Sequence, residues 1–133
     1  MHVIKDNLNQ LDMALDKNKC CVDISASGDG YAIDVKTYSD EYCPFNMKIT
    51  SDVFDISIDD RFAVGDVEHC DFDFKSVALS IASGNLIERE GRFLLLRRSF
   101  MELNIANEVN FYVYGRIKFL SSNRTHNYLS YVL

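Results

Sequence analysis

Seven carboxylates fall between Val53 and Phe74: Asp55, Asp59, Asp60, Asp66, Glu68, Asp71 and Asp73. That density invites two kinds of chemistry, divalent-cation binding and acid/base catalysis by a carboxylate pair. Laid on the calcium-loop pattern from Asp55, the first ligand positions are Asp55, Ser57 and Asp59. The glycine that such a loop requires is Asp60, and its closing glutamate is Asp66. Residues 54–58 also alternate as a strand, so no metal site is expected. Catalytic carboxylates need two different environments, and nothing in the sequence singles out a pair among twenty acids. His69-Cys70-Asp71 groups three reactive types, but consecutive strand residues point to alternate faces and form no triad. His2 and His126 have no partner at a meaningful spacing.

Other short patterns read as architecture. Gly28-Asp29-Gly30 is a turn and not a phosphate loop, because no helix follows and no Lys-Ser/Thr pair adjoins it. Asn123-Arg124-Thr125 matches a glycosylation acceptor, which has meaning only in an exported chain. No residue pattern amounts to a catalytic or cofactor signature; no catalytic residue, metal or cofactor is expected.

Charge is unevenly distributed. The net charge is −6, yet residues 1–88 hold 7 Lys+Arg against 17 Asp+Glu, and residues 89–133 hold 7 against 3. The acidic surplus argues against nucleic acid, since neutralising phosphates needs a basic footprint. A cationic protein is the natural complement. Arg89, Arg92, Arg97, Arg98, Arg116 and Lys118 form a basic zone that pairs most simply with acid in the same molecule. A phosphate site there is the sharper alternative, without a Gly-rich loop to support it.

The acids are placed in register with strands. Phe54, Ile56 and Ile58 alternate with Asp55, Ser57 and Asp59; Cys70, Phe72 and Phe74 alternate with Asp71 and Asp73. Asp23 and Asp34 take the same wet positions in a hairpin over 20–26 and 31–37, turned by Ser27-Gly28-Asp29-Gly30. Residues 45–50 and 53–59 predict two more strands around Ser51-Asp52. Asp59 to Glu68 reads as a polar loop, and Cys70 to Phe74 as a short strand or the lead-in to a helix. The candidate partner-binding residues are therefore Asp23, Asp34, Asp55, Asp59, Asp71 and Asp73.

Leu8, Leu11 and Leu15 predict an amphipathic helix over residues 6–18, capped by Asp6 or Asn7. Residues 76–83 fit helix or strand; two alanines and the Gly84-Asn85 stop favour a short helix. Arg92 to Ile105 and Val109 to Leu120 predict a long antiparallel pair around Ala106-Asn107-Glu108, with a helix over 99–108 as the rival. Tyr128 to Leu133 is too apolar for a free tail, so a docked strand or a homodimer contact through this C-terminal segment is expected.

At 133 residues and 47% hydrophobic content, a single α+β domain over 1–133 is expected, with a mostly antiparallel sheet. No apolar run approaches the roughly 18 residues of a membrane span, and the N-terminus lacks the apolar core of a signal peptide. Cys20, Cys21, Cys43 and Cys70 have no Cys-x-x-Cys spacing and read as reduced thiols in a cytoplasmic protein.

In general character the chain resembles the small acidic immunity proteins that bacteria keep against toxins delivered by neighbouring cells, including the contact-dependent inhibition type. The features that carry the resemblance are the acidic rows at Asp23, Asp34, Asp55, Asp59, Asp71 and Asp73, the single small domain and the missing signal peptide. The resemblance implies a cytoplasmic inhibitor that occludes a basic toxin, often a nuclease, through a carboxylate-rich face. Two alternatives stand beside it: a type III secretion chaperone, also small and acidic with a leading amphipathic helix, and a small enzyme whose site is assembled only by folding.

Overall fold

Alternating side chains build the first half of the molecule. The computed structural model describes the backbone of residues 2–93, 96–105, 109–119 and 127–133, with side chains at all of these except 2, 92, 93, 97, 109 and 116–119. Strands β1 (Cys20–Ser27), β2 (Gly30–Thr37), β3 (Phe45–Ile49), β4 (Val53–Ile58) and β5 (Phe62–Glu68) form an antiparallel meander. Its register stacks apolar residues in rows across the strands. Ile33 lies opposite Met47 and Met47 opposite Ile56, while Val35, Phe45 and Ile58 form the next row. All six are buried, and burying a side chain of this size contributes about 1.5–3 kcal/mol.

The polar loop expected over 59–68 is in fact mostly β5. Only Phe62 of this strand is fully buried, and Gly65-Asp66 interrupts the alternation, so it carries little strand signal of its own. Pairing with β4 supplies what the local pattern lacks.

Helix α1 (His2–Ala14) and helix α2 (Phe74–Ala82) cover one face of the sheet; α1 packs on β2 and α2, and α2 on β3 and β7. Ile4 extends the apolar stripe of Leu8, Leu11 and Leu15, so α1 begins earlier than the expected Asp6 and places Asp6 and Asn7 inside it. It ends at Ala14 because Leu15 pairs with Val132 instead of continuing the helix. At the end of α2, Gly84 (φ +76°) donates to the Ile81 carbonyl and Asn85 to that of Ser80, a Schellman stop as the sequence predicts.

The second meander comprises β6 (Leu86–Phe93), β7 (Leu96–Ile105) and β8 (Val109–Phe119). Residues 92–105 are thus not one strand but the end of one and the whole of another, and the rival helix over 99–108 gives way to β7. The expected turn at Ala106-Asn107-Glu108 and, of the polar stretch Ser121 to Asn127 expected to break the chain after β8, residues 121–126 lie outside the described residues. Strand β8 joins β5, so that the described residues form an eight-stranded antiparallel sheet of order β1-β2-β3-β4-β5-β8-β7-β6. The fold is α+β, as expected.

The C-terminal segment docks on its own chain. Tyr131 and Leu133 donate to the carbonyls of Ala82 and Ala14, and Leu129 to that of Glu41. Tyr131 is fully buried, with its hydroxyl donating to the Cys43 carbonyl at 2.6 Å. None of the described helices is long and apolar enough to cross a membrane.

Candidate functional site

The face of the sheet away from the helices divides by chemistry. On β1–β4 the outward row holds Asp23 directly opposite Asp34, then Asn46 and Ser57, with Lys36, Lys48 and Asp55 nearby. Like charges opposite one another on neighbouring strands repel by a fraction of a kcal/mol. Lys36 reaches Asp34 at 3.9 Å; among the described residues Asp23 has no ion-pair or hydrogen-bond partner. The face is therefore mixed and not wholly carboxylate, since Lys36 and Lys48 sit among its acids.

On β6–β8 the same face is aromatic. Phe100 packs against Tyr112 and Tyr114 with ring centroids 5.8 and 5.9 Å away, and the Arg98 guanidinium lies 4.7 Å from the Tyr114 ring. Tyr112 and Tyr114 remain 40% and 43% exposed. Arg89 is paired with Glu102 across β6 and β7. Phe111 and Val113 are buried on the dry side of β8. Two tyrosines on the wet side of a strand were the signal available. Arg92, Arg97, Arg116 and Lys118 of the basic zone have side chains outside the described residues.

Between the two halves lies a groove of about 490 Å³, bounded by Val64–Glu68 on one side and Asn110–Tyr112 with Tyr114 on the other. Asp66, Glu68 and Asp71 line it, and no Lys or Arg among the described residues does.

The six predicted acids therefore separate. Asp23, Asp34 and Asp55 share the open face, and Asp71 lines the groove. Asp55 also has a local duty, accepting the Asp66 backbone N–H at 2.8 Å. Asp73 is not on a strand; it begins α2, where its carboxylate accepts the Ser76 hydroxyl at 2.9 Å. Asp59 sits in the β4–β5 turn with φ 52° and is held by Arg61 and by the Tyr128 hydroxyl, both at 3.0 Å. Alternation by itself could not separate these cases, because a tight turn and a helix start follow the strand pattern with no change in composition.

Arg61 also reaches Glu88 of β6 at 3.0 Å, so one guanidinium joins the two meanders. Burial opposes its charge, but the bonds to Asp59 and Glu88 outweigh this and hold its pKa above the ordinary range. Beside this cluster, burial pushes the Cys43 thiol and the Tyr128 hydroxyl up. Cys43 is 0% exposed, and a protonated buried thiol is not a nucleophile.

His69 and its neighbours do not assemble. The His69 ring lies between Phe54 and Phe74, with Nε2 2.7 Å from the Thr50 carbonyl, to which it must donate. Cys70 turns instead to Glu68 at 3.4 Å, a bond that holds its thiol pKa above the ordinary value. All four cysteines are free, as expected, Cys20 and Cys43 buried and Cys21 and Cys70 exposed. Glu68, Cys70 and Asp71 bring their ligand atoms within 4.8 Å of one another, but all three are exposed.

Comparison with protein-family models, curated proteins and solved structures found no match for this chain.

Proposed function

We propose that this is a cytoplasmic binding protein that neutralises a cognate basic toxin by covering it, in the manner of the acidic immunity proteins it resembles. The observation that carries the reading is the concentration of carboxylates without cations at the groove, Asp66, Glu68 and Asp71; Asp23, Asp34 and Asp55 add acid on the open face, where Lys36 and Lys48 are interspersed. Solubility alone is served by interspersed charge of both signs; a run of one sign steers an oppositely charged partner and speeds its encounter. Asp59 and Asp73 are occupied within the fold and contribute through the overall field only.

The test is functional. A toxin gene should adjoin the gene for this chain, and the purified protein should inactivate that toxin domain at equimolar ratio. A toxin domain that keeps full activity in excess protein, with no complex on gel filtration, contradicts the reading.

A further inference from the structure

Strands β5 and β8 share one ladder pair among the described residues, Ala63 with Tyr114. Both are otherwise well paired on their far sides, β5 with β4 and β8 with β7. Beyond Ala63 no residue of β5 pairs with β8 among the described residues, and Val64–Glu68 and Asn110–Tyr112 line the groove from its two sides; a strand edge without a neighbouring strand presents main-chain donors and acceptors for pairing.

The divergence has a local cause. Gly65 and Asp66 together oppose the single residue Asp55, a bulge between Phe54 and Ile56 in the β4–β5 register. Asp66 takes φ 54°, and the Asp55 carboxylate fixes the bulge by accepting the Asp66 N–H. A bulge bends the strand that carries it and can terminate pairing. Phe72 against Phe111, with centroids 4.8 Å apart, gives the groove an apolar floor.

We propose that the groove receives an extended Lys- or Arg-bearing segment of the partner as an added β-strand. This rests on the reading of a basic partner and specifies how part of it is held. Strand addition draws affinity from main-chain hydrogen bonds and specificity from alternate side chains. Here one set of side chains would meet the Phe72–Phe111 floor. The other set would meet Asp66, Glu68 and Asp71. The matching segment alternates apolar and basic residues.

The probe is a short peptide alternating Val and Lys, titrated into the full chain with backbone amide NMR as readout. Shifts should centre on residues 64–68 and 110–112. Replacing alternate valines with proline, which cannot donate to a ladder, should weaken binding about tenfold or more. Asp66→Asn with Glu68→Gln should weaken it by about the same factor. Deleting Gly65 removes the extra residue and lets β5 pair along β8; with far-ultraviolet circular dichroism unchanged, peptide binding should vanish. If that deletion does not fold, the charge variant and the proline peptide decide. Equal binding of the proline peptide, no binding of the alternating peptide, or shifts confined to Asp23 and Asp34 would overturn the proposal. Since the titration needs no toxin, its failure leaves the inactivation result, and so the reading of a basic partner, standing.

Discussion

The two meanders of one sheet solve the same problem, an outward face that is not covered by helices, in different ways. The first presents acids interleaved with Lys36 and Lys48; the second presents Phe100, Tyr112 and Tyr114 under Arg98. Their inner faces are alike, Ile33, Met47 and Ile56 in one and Met101, Leu103 and Val113 in the other, all buried. Packing therefore constrains the inner residues of both halves, whereas the outer residues are free to differ. The halves meet at a seam that has, among the described residues, one ladder pair, one bridging arginine and three groove acids with no Lys or Arg beside them.

The largest test asks whether the halves fold as one. Leu11→Asp puts a charge under α1, which covers the first meander, and should cost about 3–5 kcal/mol. Loss of β7 and β8 amide protection together with β1–β4 would show one cooperative unit; retained protection in the second meander would split the comparison into two independent parts.

Arg61→Met removes the bridge between them and leaves the Glu88 side chain, 9% exposed, without its cation. The expected cost is about 1–3 kcal/mol, measured by urea unfolding. An Arg61→Met/Glu88→Leu double variant should recover part of this, because the orphaned carboxylate is gone.

Alkaline pH probes the C-terminal segment and the Cys43 region on which it docks. Burial raises the pKa of Cys43, Tyr128 and Tyr131 above the ordinary 9.0 and 10.0. Each contributes stability that is complete below its unfolded pKa and is lost as pH rises towards the folded value. Stability should thus fall from about pH 9 upward, by up to about 1.4 kcal/mol per pH unit for each group. Tyr131→Phe should cost about 1 kcal/mol at neutral pH through the lost bond to Cys43 and flatten the alkaline slope.

Gly84→Ala places a side chain at positive φ, with its Cβ 2.5 Å from the Tyr128 carbonyl oxygen. The conformation alone costs about 1 kcal/mol, and the contact adds to it by displacing the C-terminal segment. The smallest effect is expected from Asp23→Asn with Asp34→Asn. Relieving the cross-strand repulsion should stabilise by a few tenths of a kcal/mol, and a clear loss would mean that the pair makes contacts within the fold.

Legibility in the sequence followed how much each element depends on its own residues. The β1–β2 and β3–β4 hairpins alternate cleanly and end in Gly or Asp turns, so both were readable. Strand β5 was missed because the Gly65-Asp66 bulge breaks the period and neighbours supply the pairing. Most of β6 was missed, and its end was merged with β7 because Arg92 to Leu96 contains no Gly, Pro, Asn or Asp to mark a break. For the candidate site, the acids were visible but their separate duties were not. Asp59, Asp71 and Asp73 look equivalent in a list of alternating positions, yet one is held by Arg61 and Tyr128, one lines the groove and one begins a helix. The groove itself follows from a bulge and a single ladder pair, neither of which has a one-dimensional signature.

The most direct measurement is the association rate of the toxin domain with the wild type and with Asp66→Asn/Glu68→Gln/Asp71→Asn, across a range of salt concentrations. The wild-type rate should fall steeply with salt, and the triple variant should associate about tenfold more slowly at low salt with a flatter dependence. Superimposable rates and salt slopes for the two proteins would contradict the account.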